Sequence, residues 1–334
     1  MQFRILMALS ILGVIFGSCD SLIYDNLEDC PQGVYVKFYS MTPCDADSIF
    51  PGNVGKLSLF AFDEKGILAV THEEVNPNLT KDYEVLIPVT DGIYTFVTWA
   101  GLNDKFDVST FTPGVTTKED VMMTLKSADG MAAQLGQDKV YQGESPAVYL
   151  PDPAEYGTVY KHTSVNLREV TNRVKLIVEV DHENVIQEWM PEAKDMIPSI
   201  RSANQTMLID GKVKRGETQI EYPARDVNLE SKEFAAWNYT LLDLVTGLHN
   251  DFDITYIHAL TGEKESVFKN GPVDLIGAIL TKTVAGGISL DCDHDFEIRI
   301  KLFDKCADCG WTNFSCDIYV NDWIVHSYST ELGN

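Results

Sequence analysis

The chain has 334 residues, and its charge is lopsided: 26 Lys and Arg against 50 Asp and Glu leave a net charge of −24. A field of that sign repels phosphate backbones and anionic headgroups, which excludes nucleic acid as a partner and electrostatic adsorption to an anionic membrane. Behind an N-terminal leader about 315 residues remain, which the usual size of a domain divides in two.

The chain opens with MQFR, runs from Ile5 to Phe16 without a charge and reaches the small residues Gly17 and Ser18 before Cys19. A basic start, an apolar run too short to span a bilayer and small residues at its end compose a secretory signal. Gly17-Ser18-Cys19 resembles the bacterial lipobox, with Phe16 where that motif more often has an aliphatic residue. The resemblance implies that residues 1–18 are removed as a signal peptide and that Cys19 carries lipid on its thiol and on its new amino group. Each buried methylene contributes about 0.8 kcal/mol, so two or three acyl chains hold a protein at a membrane far more durably than one. Residues 19–32 then form a lipidated tether.

Beyond the tether, GVYVKFY (33–39), KLSLFAF (56–62), YEVLIPV (83–89) and IYTFVTWA (93–100) are strand-like and rich in β-branched and aromatic residues. Pro51-Gly52, the run DEKG (63–66) and Thr90-Asp91-Gly92 punctuate them as turns. Thr117, followed three residues later by Asp120, marks the start of a short helix. PDPAEYG (151–157) interrupts the pattern and reads as a boundary between an N-terminal domain, 33–157, and a C-terminal domain, 158–334. The pattern resumes in SVNLREVTNRVKLIVEV (164–180), DITYIHAL (253–260) and FEIRIKLF (296–303), where Phe296, Ile298, Ile300 and Leu302 share one face. CDIYVNDWIVHSY (316–328) ends the chain as two arms around Asn321-Asp322, which predicts a hairpin. The whole predicts an all-β protein of low helix content, built as two consecutive antiparallel β-sandwich domains.

With Cys19 assigned to lipid, Cys30, Cys44, Cys292, Cys306, Cys309 and Cys316 remain, an even set in an exported chain, which predicts disulfides. Their pairing is open. A Cys30–Cys44 bridge would fix the point where tether meets fold and contribute about 3 kcal/mol. Cys306 and Cys309 have the spacing of a zinc or redox motif, but export favours disulfides and no βα context accompanies them. Asp291, Asp293 and Asp295 alternate in LDCDHDFE (290–297), yet Phe296 stands where a calcium loop needs glycine and Leu302 where it needs a bidentate carboxylate. That segment reads as a solvated loop, and no metal is assigned. No nucleophile elbow, phosphate loop, dinucleotide fingerprint or zinc-protease helix is present in the sequence, so no cofactor and no catalytic residue is assigned. Trp99, Trp189, Trp237, Trp311 and Trp323 could stack on sugars, although Trp99 and Trp323 fall in strand patterns and read as core. A surface glycan-binding lipoprotein is the alternative reading.

Four segments, CDSLIYDNLEDCPQGVYVKFY, YTFVTWAGL, LREVTNRVKLIVEV and IYVNDWIVHSY, occur in this order from Cys19 nearly to the C-terminus. Together they resemble the FimB/Mfa2 family of fimbrial subunits from Bacteroidetes, the lipoprotein anchors of type V pili. The resemblance implies transthyretin-like sandwiches and a protein held in the outer membrane by lipid on Cys19. It places that protein at the base of a fimbrium, with a stalk subunit as partner and with attachment and limitation of fibre length as its work, without catalysis. Fibres of this kind are thought to join by β-strand addition, in which one chain completes the sheet of the next. In stalk subunits the family picture has the first strand cut away to open a groove. Here the first strand, from Val34 to Tyr39, follows the lipid site so closely that cutting after it would release the fold from its anchor. It is therefore expected to stay. The C-terminal hairpin, with Ile318, Tyr319, Val320, Trp323, Ile324 and Val325, is then the candidate fibre-joining surface.

Overall fold

A computed structural model describes residues 31–181, 191–229, 231–258, 261–268, 270–280, 287–304 and 314–328. Cys19, Cys30, Cys306, Cys309, Trp189 and Trp311 lie outside the described residues. The architecture is all-β. Strands β1 (Gly33–Tyr39), β2 (Lys56–Asp63), β3 (Leu68–Val75), β4 (Glu84–Pro88) and β5 (Gly92–Ala100) follow the alternation in the sequence. Thr117 precedes a single 3₁₀ turn, Lys118–Asp120, and its amide and hydroxyl both donate to Asp120 Oδ2, at 2.9 and 2.7 Å.

Strands β6 (Tyr141–Glu144), β7 (Val148–Leu150), β8 (Tyr160–Asn166) and β9 (Arg168–Glu169) complete two sheets. One has the order β8-β1-β4; the other has the order β9-β6-β5-β2-β3, with β7 also paired to β5. Leu57, Leu59 and Ala61 of β2 point into the core between these sheets, against Val34, Val36, Phe38 and Ile87. Phe60 and Phe62 point the other way, with Val97 and Trp99 of β5, into a second core that continues through the C-terminal half. The inner strands β2 and β5 are thus buried on both faces, which explains why each carries large apolar residues on both of its faces.

The C-terminal half contributes β10 (Thr171–Val180), β11 (Ile197–Ser202), β12 (Phe234–Leu242), β13 (Asn250–Ile257), β14 (Asp295–Asp304), β15 (Phe314–Val320) and β16 (Trp323–Tyr328). A third sheet runs from Asp226–Asn228 through β12, β10, β14 and β15 to β16 at its edge; a fourth is centred on β11 and β13. Phe296, Ile298, Ile300 and Leu302 of β14 are buried on one face, as their spacing predicts, in the core shared with Val174, Leu176 and Val178.

The first two sheets extend past residue 157. After the proline-rich segment the chain returns as β8, parallel to β1 from Gly33↔Tyr160 to Tyr39↔Asn166, and β9 then pairs with β6. A boundary at 157 would separate β1 from this neighbour. The physical reason is that Pro153 occupies the first turn of a short helix, Pro153–Tyr156, with Asp152 accepting from the Ala154 amide at 2.8 Å and Gly157 closing it at φ 69°. Pro153 and Gly157 mark the start and stop of a helical turn between strands. The halves also interlock: Met122–Leu125 pairs with Thr206–Leu208, and Met131 pairs with Glu221.

Candidate functional site

The two ends of the described chain have opposite characters. At the N-terminal end β1 is the middle strand of its sheet, with five register pairs to β4 in addition to the run along β8. Val34 and Val36 are sealed from solvent and Phe38 nearly so. The entry point is fitted: Gln32 Nε2 donates to the Pro151 carbonyl at 3.0 Å, and a Cβ on Gly33 would stand 2.8 Å from the Ile87 carbonyl oxygen. While β1 is seated, the slot between β8 and β4 is filled by this chain's own residues.

The disulfide differs from the Cys30–Cys44 pairing considered above. Cys44 is bonded to Cys292, 248 residues away, with a Cα–Cα distance of 6.0 Å. Both cysteines sit in tight turns. Asp45 accepts from the Thr42 amide at 2.7 Å, and these hydrogen bonds hold the exposed Asp45 carboxyl below its ordinary pKa. The Cys292 amide donates to the Ser289 carbonyl at 3.0 Å, while Asp293 accepts from the Ser289 amide at 2.8 Å. The pairing follows from the topology. The end of β1 lies beside the β8-to-β10 connection, where Leu167 donates to the Tyr39 carbonyl at 2.7 Å, and β14 begins next to β10 at Arg173↔Asp295. Cys316 is buried on β15.

The same region carries a charged seam. Buried Glu169 accepts from Arg173, from the Thr171 hydroxyl at 3.0 Å and from Lys139 at 3.2 Å, and Arg173 also donates to Asp295 at 2.9 Å. The Arg173 hydrogen bond holds the Asp295 carboxyl below its usual range. Arg168 bonds Asp243 at 2.8 Å and the Gly211 carbonyl at 3.2 Å. Of the alternating aspartates, Asp293 therefore caps a turn and Asp295 answers an arginine. Among the described residues no three His, Cys, Asp or Glu side chains gather in metal-holding geometry. Beside the seam, burial pushes the His294 pKa down; Glu169 and Asp243 oppose that shift, while Arg173 and Arg168 add to it.

At the other end, β15 and β16 form the predicted hairpin, and β16 is an outer strand of its sheet. Its loop is two residues long between Val320 and Trp323, with positive φ at both Asn321 (45°) and Asp322 (65°), the backbone that a tight right-twisted hairpin requires. Asn321 is tied to the next strand, donating its amide to the Glu297 carbonyl at 2.9 Å and accepting the Glu297 amide at 2.8 Å. Ile318 and Val320 are core residues, Tyr319 is half-buried, and Ile324 is 56% exposed. The register passes from Tyr319↔Ile324 to Ile318↔His326, which leaves Val325 as the extra residue of a bulge. A bulge on an outer strand discourages indiscriminate pairing there. Trp99 and Trp237 are buried and offer no platform for a sugar.

The family model described as fimbrillin-A associated anchor proteins Mfa1 and Mfa2 matches residues 27–329. The minor fimbrium anchoring subunit Mfa2 of Porphyromonas gingivalis is 33% identical over 333 residues, covering 98% of this chain and 97% of that protein. The solved structure of the P. gingivalis fimbrial anchor protein Mfa2 superposes with a TM-score of 0.75 at 31% identity, over 90% of this chain and 100% of that one. A candidate polysaccharide-binding protein from Bacteroides thetaiotaomicron shares the fold at 19% identity, with a TM-score of 0.67 over 89% of this chain and 98% of that one. On sequence and fold together, this chain belongs to the family of fimbrillin-A associated anchor proteins Mfa1 and Mfa2.

Proposed function

We propose that this protein anchors a fimbrium to the cell surface, as an outer-membrane lipoprotein held through acyl chains on Cys19. It stands at the base of the fibre and takes no part in catalysis. The observation that carries the reading is the contrast between the two ends: a first strand seated in the middle of its sheet, and a C-terminal hairpin at a sheet edge. A subunit whose own β1 fills the slot between β8 and β4 has no vacancy for a donor strand there, so a growing polymer stops at it. The same property limits fibre length.

The stalk subunit joins at β16 by strand addition, where main-chain hydrogen bonds supply affinity and the side chains of the outer strand select the partner. The bulge at Val325 contributes to that selection, because a partner strand has to match it.

The test is capture of the purified stalk subunit by this protein and by an Ile324→Lys variant, with the far-ultraviolet circular dichroism of both compared. Ile324 is exposed, so the variant keeps its fold, and a lysine on an outer strand opposes strand pairing. Loss of capture with unchanged dichroism is the expected result. Equal capture, or a bound form in which a foreign strand replaces β1, would overturn the assignment of the joining surface.

A further inference from the structure

We propose that the Cys44–Cys292 disulfide is a mechanical clamp: it routes tension between the two ends of the molecule along β1 and β14 and keeps that load off the fold between them. The proposal rests on the anchoring reading for the points of load, the N-terminal end of β1 and the C-terminal hairpin. Its geometry is independent of that reading.

The covalent route is short. It enters at Gly33, follows β1 to Tyr39, reaches Cys44 five residues later and crosses the disulfide to Cys292. Three residues beyond Cys292, β14 begins at Asp295, and it pairs with β15 of the hairpin over seven register positions, from Ile298↔Val320 to Asp304↔Phe314. A sequence separation of 248 residues is bypassed.

Both strands on the route are interior. β1 lies between β8 and β4, and β14 lies between β10 and β15. Load enters β1 at Gly33 and leaves it at Tyr39, so along β1 it is carried by the covalent backbone, and from β14 it is shared with β15 across their seven register pairs. The neighbours of β1 are not peeled away, because peeling needs a strand pulled at one end and held only by hydrogen bonds along its length. A strand already rises about 3.3 Å per residue against a limit of about 3.6 Å, so it has little length to give. The turns around the disulfide add little slack: Ser40 exchanges backbone hydrogen bonds of 2.8 Å with Ile49, and Ser289 is tied to Cys292 and Asp293. Without the disulfide, the same pull would act on β1 from its N-terminal end alone, and β1 would be dragged along β8 and β4.

The test stretches the mature chain between handles at its two termini in a single-molecule force instrument, before and after reduction. The force at first rupture is expected to fall severalfold on reduction, and the 248 bypassed residues then add roughly 820 to 890 Å of released length. An unchanged first-rupture force would overturn the clamp, because the disulfide would then lie off the loaded path. A second geometry needs no reduction. In the oxidised protein, moving one handle from the N-terminus to exposed Lys65, inside the bypassed segment, should lower the rupture force; equal force in both geometries would also overturn the clamp. On cells, a Cys44→Ser, Cys292→Ser variant should keep its fibres in still culture and lose them under shear. Loss of the clamp in the force experiment with full retention of fibres under shear would contradict the anchoring reading and leave the clamp's mechanics standing.

Discussion

Asn204 serves three partners with one buried amide. Its Nδ2 donates to the carbonyls of Leu242 and Asp243 at 2.9 and 3.0 Å, and its Oδ1 accepts the Tyr222 hydroxyl at 2.7 Å. Asn204 and Tyr222 are both sealed from solvent, and burial raises the phenol pKa well above its ordinary value. Removing the amide leaves two carbonyls and a hydroxyl where water does not reach, at a cost of about 1–3 kcal/mol for each unsatisfied group. Asn204→Ala should therefore lower the free energy of unfolding by ~3 kcal/mol or more, read from urea denaturation, and Tyr222→Phe by about 1 kcal/mol. His294 gives a pH dependence at the same scale. Its pKa is depressed in the fold, so below the unfolded value of about 6.5 the unfolded chain binds the extra proton and stability falls as pH falls toward the folded value. Urea midpoints at pH 7 and pH 5 should differ less for His294→Gln than for the native protein. An equal pH response would show that other groups govern it. Neither residue announces itself in the sequence, because each acquires its role from partners far along the chain.

Among the elements, the approach of β6 to β8 depends on Gly143. A Cβ there would stand 2.1 Å from the Asn166 carbonyl oxygen and 2.7 Å from Val165 Cγ1, so the first two sheets meet at a point that admits no side chain. Gly143→Ala should cost about 1–3 kcal/mol in thermal or urea unfolding as β8 is pushed outward; a neutral result would mean that the sheets separate there without strain. Strands with long alternating runs, such as β1, β5 and β14, were legible in the sequence because a period of two needs several residues to show itself. The hairpin turn was legible too, since Asn321-Asp322 can adopt the positive φ of its loop. The two- and three-residue strands that knit the halves together, including Thr206–Leu208 and Met131–Ala132, were not, because segments so short carry no period. PDPAEYG folds as a short helical turn between strands, because proline after an aspartate starts such a turn as readily as it marks a linker.

At the scale of the molecule, the sequence carried an even set of cysteines but not the partner of Cys44. The pairing stays open in the sequence, with Cys30 as one possible partner, whereas the sheet topology brings Cys292 to the end of β1. The charged seam of Glu169, Arg173 and Asp295 lies at the same place for the same reason, joining β9 to β10 and β14. The two ends fit the proposed anchoring: a seated first strand at one, a hairpin at a sheet edge at the other, and a disulfide that links the strands leading to them. The measurement that tests the central claim most directly is the partition of fibres between cells and culture medium, comparing the native strain with one that carries Cys19→Ala. Anchoring predicts long fibres shed into the medium by the variant, with few left on the cells. Fibres of unchanged length and attachment would contradict it.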